Sequence, residues 1–204
     1  MTTAAVVLAA GRGSRLEVDH AKPLLAYRGR PLVAWALDAA VASGCTPVVL
    51  VVGHAADAVA ALAPERVRVV ESPEWADGIS ASLRAALDAL VPDPSVTSVC
   101  VGLADQPRIG PEAYRRLTAA GERGAAIAVA TYEGVRGNPV LLARSVWGEA
   151  RRLTGDEGAR QLMRTHPVVE VDCTGTGDPA DVDTLGDLAA LDRVAPPSPP
   201  TETS

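Results

Sequence analysis

The stretch LAAGRGSRLEVDHAKPLL, residues 8 to 25, gathers groups suited to handling a phosphate. Leu8, Ala9, Ala10, Gly11, Arg12, Gly13, Ser14 and Arg15 form a loop of small residues with two cations beside it. Small side chains let backbone N–H groups approach an anion closely. Lys22 follows, immediately before Pro23, and it is the sole lysine among 19 Lys and Arg residues. A lysine is a compact, mobile point charge, whereas arginine offers a rigid planar fork. One ammonium beside a glycine-rich loop suits charge developing at a reacting phosphorus. The loop has no GxxxxGK[ST] pattern, and Leu16 stands where a dinucleotide fingerprint needs its third glycine. On the glycines alone, a solvated βα loop with charges on its rim is the plainer reading.

The elements that must carry this loop alternate along the chain. Val-rich runs at 4–9, 47–52, 66–70, 98–104, 125–131 and 167–172 predict buried strands, and 137–143 predicts an extra strand that could run antiparallel. Helical spacing or end signals mark 31–43, 79–91, 111–122, 157–166 and 184–194. Strand and helix in turn predict an α/β, Rossmann-like fold, a mainly parallel sheet with helices on both faces. Ligands of such sheets sit beyond the carboxyl ends of the strands, where strand order reverses. That directs attention to the loops at 10–22, 53–55, 71–79, 105–111 and 173–184.

Composition narrows the class of function. Residues 1–194 are expected to form one domain, and the proline-rich 195–204 a disordered tail. With 48% hydrophobic residues but 3% aromatic and no Phe, the core must rest on Ala, Val and Leu. A net charge of −6 argues against nonspecific nucleic-acid or anionic-membrane binding, though not against a local anion site. Cys45, Cys100 and Cys173 lack ligand-like spacing, which predicts a reducing compartment without structural zinc or disulfides. No charged n-region opens the chain and no apolar run is long enough to span a bilayer, so a cytoplasmic, soluble protein is expected.

The strand, LAAGRGSRL, KPLL and GRPLVAWAL resemble, in that order, the MobA-like nucleotidyltransferase family, and the chain is most similar to its molybdenum cofactor cytidylyltransferases. The resemblance reaches to about residue 192. It implies the nucleotide-diphospho-sugar transferase type of fold. It also implies a Mg²⁺-dependent transfer of CMP from CTP to the terminal phosphate of molybdopterin, with release of pyrophosphate. A molybdoenzyme or its chaperone would then be a transient partner. The nucleotide would lie on residues 8–15, Lys22, Gly78 and Ser82, with Lys22, Arg15 and Asp105 as the catalytic group. A carboxylate at a strand's carboxyl end can offer hard oxygen to a phosphate-bound Mg²⁺. Asp105, in GLADQP, matches the family's metal aspartate, and it lies too far before Pro111 to cap that helix.

Asp181 and Asp183, in ADVDTLGDL, fall on the family's second acidic pattern, with Asp183 preferred as the metal ligand. Leu185-Gly186 replaces the family's Pro-Glu there, and Asp183 or Thr184 could instead cap a helix. Ser80 could likewise be an ordinary N-cap, and Trp75 either a core or a stacking residue. The acceptor side of the resemblance falls on Gln106, Asn138, Gly155 and Asp156, with a helix opening at 155–158. Asp156 and Glu157 could equally be favourable charges in a first helical turn. Ala10 replaces a glycine of the guanylyl-transferring relatives, and its methyl narrows the base pocket toward a pyrimidine. GTP, another phosphorylated acceptor (a sugar phosphate, methylerythritol phosphate or phospholactate), a non-catalytic nucleotide binder and an NAD(P)H-dependent oxidoreductase are the alternatives.

Overall fold

The computed structural model describes residues 2–11, 21–156 and 158–193. Residues 12–20, which include Arg12, Gly13, Ser14 and Arg15, lie outside them, as do Glu157 and the proline-rich tail. In chain order the elements are β1 (Thr2–Leu8), β2 (Ala26–Tyr27), β3 (Arg30–Pro31), α1 (Leu32–Ala42), β4 (Val48–Val52), α2 (Ala56–Ala60), β5 (Val67–Glu71) and α3 (Ile79–Leu90). There follow β6 (Val96–Leu103), α4 (Pro111–Glu122), β7 (Ile127–Tyr132), β8 (Val135–Ala143), α5 (Arg144–Ala150), β9 (Val169–Asp172) and α6 (Leu185–Arg193). Short 3₁₀ turns occupy Lys22–Leu24, Trp75–Asp77, Gly158–Arg160 and Leu162–Arg164.

Seven strands make one sheet in the order β5-β4-β1-β6-β8-β7-β9. Neighbours run parallel except where β8 lies antiparallel to both β6 and β7. The fold is therefore the Rossmann-like α/β sheet that the alternation predicts. Side chains of a strand point to opposite faces in turn. In β1, Ala5 and Val7 enter the core beneath α1 and α4, while Ala4, Val6 and Leu8 enter the core beneath α3 and α5. Both faces are buried, and that is why the strand reads as unbroken Ala and Val.

The expected extra strand is β8. Four elements escape the periodicity: the β2–β3 hairpin, α2 and α5. Each is too short to show a period. Arg28 and Gly29 turn the hairpin, both at positive φ (49° and 75°), the geometry of a two-residue turn. The helix expected at 157–166 is a departure: the described part is two 3₁₀ turns. Gly158 sits at φ +51°, in the left-handed region, and Leu162 is buried against the α3 side of the sheet. That start breaks a continuous i→i+4 ladder.

Strand order reverses between β1 and β6, so their carboxyl ends diverge into an open crevice. Leu8 and Leu103 are the last residues of those strands and are register partners. Among the described residues no helix is long and apolar enough to cross a membrane.

Candidate functional site

Lys22 heads the 3₁₀ turn Lys22–Leu24, anchored by buried Ala21 and Pro23. Its Nζ donates to Asp105 Oδ2 at 2.5 Å and to Asp183 Oδ1 at 2.7 Å. The ammonium side chain is 12% exposed. Burial works against its charge, but Asp105 and Asp183 outweigh that and hold its pKa above the usual 10.5. The other oxygen of Asp105, Oδ1, is buried without a hydrogen-bond partner.

Two loops bring the acids together. Asp105 follows β6, and the chain beyond Asp172 folds back along it. Val182 N donates to the Asp105 carbonyl at 3.0 Å, Gly110 N to Thr176 O at 3.1 Å, and Asp178 N to Arg108 O at 3.1 Å. Gln106 is buried, its Nε2 donating to Pro179 O at 2.8 Å. Tyr27, Leu32, Val182 and Leu191 then pack as a small apolar cluster that docks the C-terminal segment on the hairpin. Gln106 thus joins the two loops through its Nε2, while its buried Oε1 has no hydrogen-bond partner among the described residues.

The acids at 181 and 183 separate cleanly. Thr184 and Asp187 bond reciprocally at the start of α6: Thr184 N and Oγ1 donate to Asp187 Oδ2 at 2.7 and 2.9 Å, and Asp187 N donates to Thr184 Oγ1 at 3.1 Å. That pair caps the helix, so the Asp183 carboxylate is left to face Lys22. Asp181 is set aside from the lysine contact; its carboxyl pKa is raised by burial first and then by the charge of Asp105. Asp187 is the capping partner that sequence reading overlooks; the T-x-x-D spacing was its signal.

A cavity of about 350 Å³ opens beside Asp105, lined by Leu8, Ala10, Gly11, Trp75, Gly78, Ser82 and Asp156 among others. Ala9 is the exception among the expected nucleotide residues of this strand end. Its side chain is buried in the opposite core cluster and its N–H bonds to Val51 O, because side chains alternate across β1. Trp75 stands at the wall, and His54 packs against its ring with centroids 5.4 Å apart. A Cβ on Gly53 would lie 2.6 Å from the Trp75 Cβ and 2.8 Å from that of Ala10, so only glycine lets the two close the wall.

Gly78 has φ +107°, and a Cβ there would meet Asp156 Oδ1 and the Gly155 backbone at 2.6 Å. This close approach lets residues 155–156 serve as the cap of α3. Ile79 N donates to Asp156 Oδ1 at 3.3 Å and Ser80 N to Gly155 O at 3.1 Å. Ser80 is therefore the second residue of α3 and not its cap, and Gly155 and Asp156 are turned toward the start of α3. Replacing Asp156 by Ala should cost about 0.5–2 kcal/mol, as for other lost caps. Chemical denaturation of the variant checks this; unchanged stability would remove the cap.

A second cavity, of about 480 Å³, shares Leu8, Ile79, Leu103 and Asp156 with the first. Its floor is apolar, with Val101, Val129 and Val140, and Asn138, Arg136, Arg160 and Arg164 border it. The three arginines are site candidates that sequence reading missed, since the chain is rich in arginine elsewhere. Among the described residues no group of three or more His, Cys, Asp or Glu is arranged to hold a metal. Asp105 and Asp183 nevertheless fit one that completes its shell with phosphate oxygens, since Mg²⁺ usually takes one or two carboxylates plus substrate phosphates. The orphaned Asp105 Oδ1 is the acceptor such a cation would satisfy.

An open α/β sheet with a lysine and two carboxylates beside its switch point has charges of the kind that handle phosphate and metal. The MobA-like NTP transferase domain matches residues 5–171, and the chain belongs to that family of nucleotidyltransferases. It is 34% identical over 197 residues to nicotine blue oxidoreductase of Paenarthrobacter nicotinovorans, covering 91% of this chain and 94% of the relative. It is 37% identical over 133 residues to bifunctional protein GlmU of Geobacter metallireducens, covering 63% of this chain but only 27% of that longer relative. The crystal structure of Rv0371c from Mycobacterium tuberculosis H37Rv superposes with a TM-score of 0.81 at 35% identity, over 95% of this chain and 98% of that one. Rv0371c has also been solved in complex with manganese, at a TM-score of 0.77 and 34% identity over 96% and 100% of the chains. Nucleotidyltransferases of this family use a divalent metal.

Proposed function

We propose that the protein transfers CMP from CTP to the terminal phosphate of molybdenum cofactor. The observation that carries this reading is the Lys22 ammonium held at 2.5 and 2.7 Å by Asp105 and Asp183, with Asp105 also lining the cavity between the ends of β1 and β6. An acceptor phosphate oxygen forms a bond to the α-phosphorus as the bond to the bridging oxygen of the leaving pyrophosphate breaks. No covalent intermediate on the protein is needed, since positioning and charge neutralisation carry such transfers.

Lys22 would hold the charge that grows on the α-phosphate, with Arg15 and N–H groups of the glycine-rich loop beyond Ala9 on the departing phosphates. Asp105 and Asp183 would hold Mg²⁺, which supplies charge neutralisation at the phosphate oxygens when bound. The Ala10 methyl lines the cavity and supports a pyrimidine over guanine. The second cavity, apolar in its floor and bordered by arginines, has the character needed for a flat, anionic acceptor, with Asn138 on its wall.

Thermal melting with CTP, GTP, ATP, UTP and NADPH, each with and without Mg²⁺, tests this. A ligand at 100 times its Kd stabilises by about 2.7 kcal/mol, which for a chain of this size raises Tm by roughly 5–10 °C. CTP with Mg²⁺ is expected to give that shift. A GTP shift instead moves the base assignment. A shift with NADPH alone overturns the transferase reading and makes the activity named for the Paenarthrobacter relative the better one.

A further inference from the structure

Lys22 and a divalent cation would draw on the same two carboxylates, with Asp105 Oδ1 the one oxygen of that acid that the lysine does not take. The ammonium takes Asp105 Oδ2 and Asp183 Oδ1 at 2.5 and 2.7 Å, and it sits largely out of water between them. A dication on the same pair would meet a positive charge at close range, screened by water mainly on the side of the half-exposed Asp183. The described residues supply no third His, Cys, Asp or Glu that would let a metal hold on beside the lysine. Phosphate oxygens change both sides of this balance. They complete the metal's shell, and they offer the lysine another counter-anion.

We propose that Lys22 is an internal counter-cation that keeps a divalent metal off Asp105 and Asp183 until a nucleoside triphosphate draws the ammonium away, so that metal and nucleotide enter as a coupled pair. The nucleotide half of this rests on the transferase reading above; the competition between lysine and metal does not. Such a device restricts metal capture to the moment a triphosphate is present. The coupling is reciprocal, so the metal must raise nucleotide affinity by the same factor that nucleotide raises metal affinity.

The test uses Mn²⁺ alone as probe, titrated into the full chain by electron paramagnetic resonance with no nucleotide present. Lys22→Met, which keeps the length of the stem but removes the charge, should bind Mn²⁺ at least about 10-fold more tightly than wild type, within the usual range of coupling between sites. Equal or weaker binding overturns the proposal. A second measurement needs no variant. Because Lys22 is the sole lysine, an amine-reactive label followed by peptide mapping reports it separately from the N-terminal amine. Saturating Mn²⁺ should expel the ammonium and speed its labelling several-fold; an unchanged rate at saturation shows that lysine and metal coexist and overturns the proposal. Neither experiment contains a nucleotide, so failure here is distinct from failure of the nucleotide melts above.

Discussion

Replacing Lys22 with alanine lowers turnover by on the order of 10²–10³, the cost of removing one preorganised donor from developing charge. The loss should fall on kcat more than on KM, because the ammonium is asked to act where charge grows, not where the ground state already carries it. Lys22→Arg should not restore the rate. A guanidinium is broader and planar, and the ammonium it would replace fits between two carboxylates at 2.5 and 2.7 Å. Steady-state kinetics of pyrophosphate release, with CTP and the acceptor, provide the measurement. Near-normal turnover in the alanine variant would remove the lysine from the reaction.

Replacing Asp105 with alanine abolishes metal-supported turnover, with an expected fall of about 10³ or more, while the protein stays folded. The size follows from the loss of a hard oxygen ligand if, as proposed, Asp105 and Asp183 are the two carboxylates that hold the metal. Folding should survive because the segment is tied through its backbone: the Asp105 carbonyl accepts from Val182 N whatever side chain stands there. Lys22 keeps Asp183 as a partner, so no uncompensated charge is left behind. Circular dichroism and a metal titration of rate separate the two effects. Full activity with an unchanged metal response would move the cation to other residues.

Much of this arrangement was legible in the sequence because its signals are local. Buried parallel strands read as unbroken Val runs, and Asp105 stands two residues beyond the end of β6, where a metal carboxylate is expected. Lys22 stood out as the exception in an arginine chain. What escaped was tertiary. Nothing local tells that Gly155 and Asp156 cap a helix that starts at Ile79, a contact spanning 77 residues. The same holds for Gln106, whose amide could be read as a ligand until its burial and its bond to Pro179 place it between loops. The motif places Ala9 with the nucleotide residues, and only the alternation of β1 shows that its side chain lies on the other face of the sheet. The sequence prefers Asp183 to Asp181, but that Asp183 reaches the lysine while Asp187 serves as the cap is visible only in the fold.

The docking of the C-terminal segment has a consequence for how the protein becomes active. The sheet is complete at Asp172, yet Asp183 lies 161 residues from the lysine it meets. During synthesis, Lys22 and Asp105 can pair while the final segment has yet to emerge, and contacts of such long separation close late. The seat of Val182 and Leu191 on Tyr27 and Leu32 therefore acts as the last latch of assembly. Damage confined to that latch would leave the sheet well formed but Asp183 away from Lys22, so that, on the proposed function, loss of activity and loss of structure become separable failures.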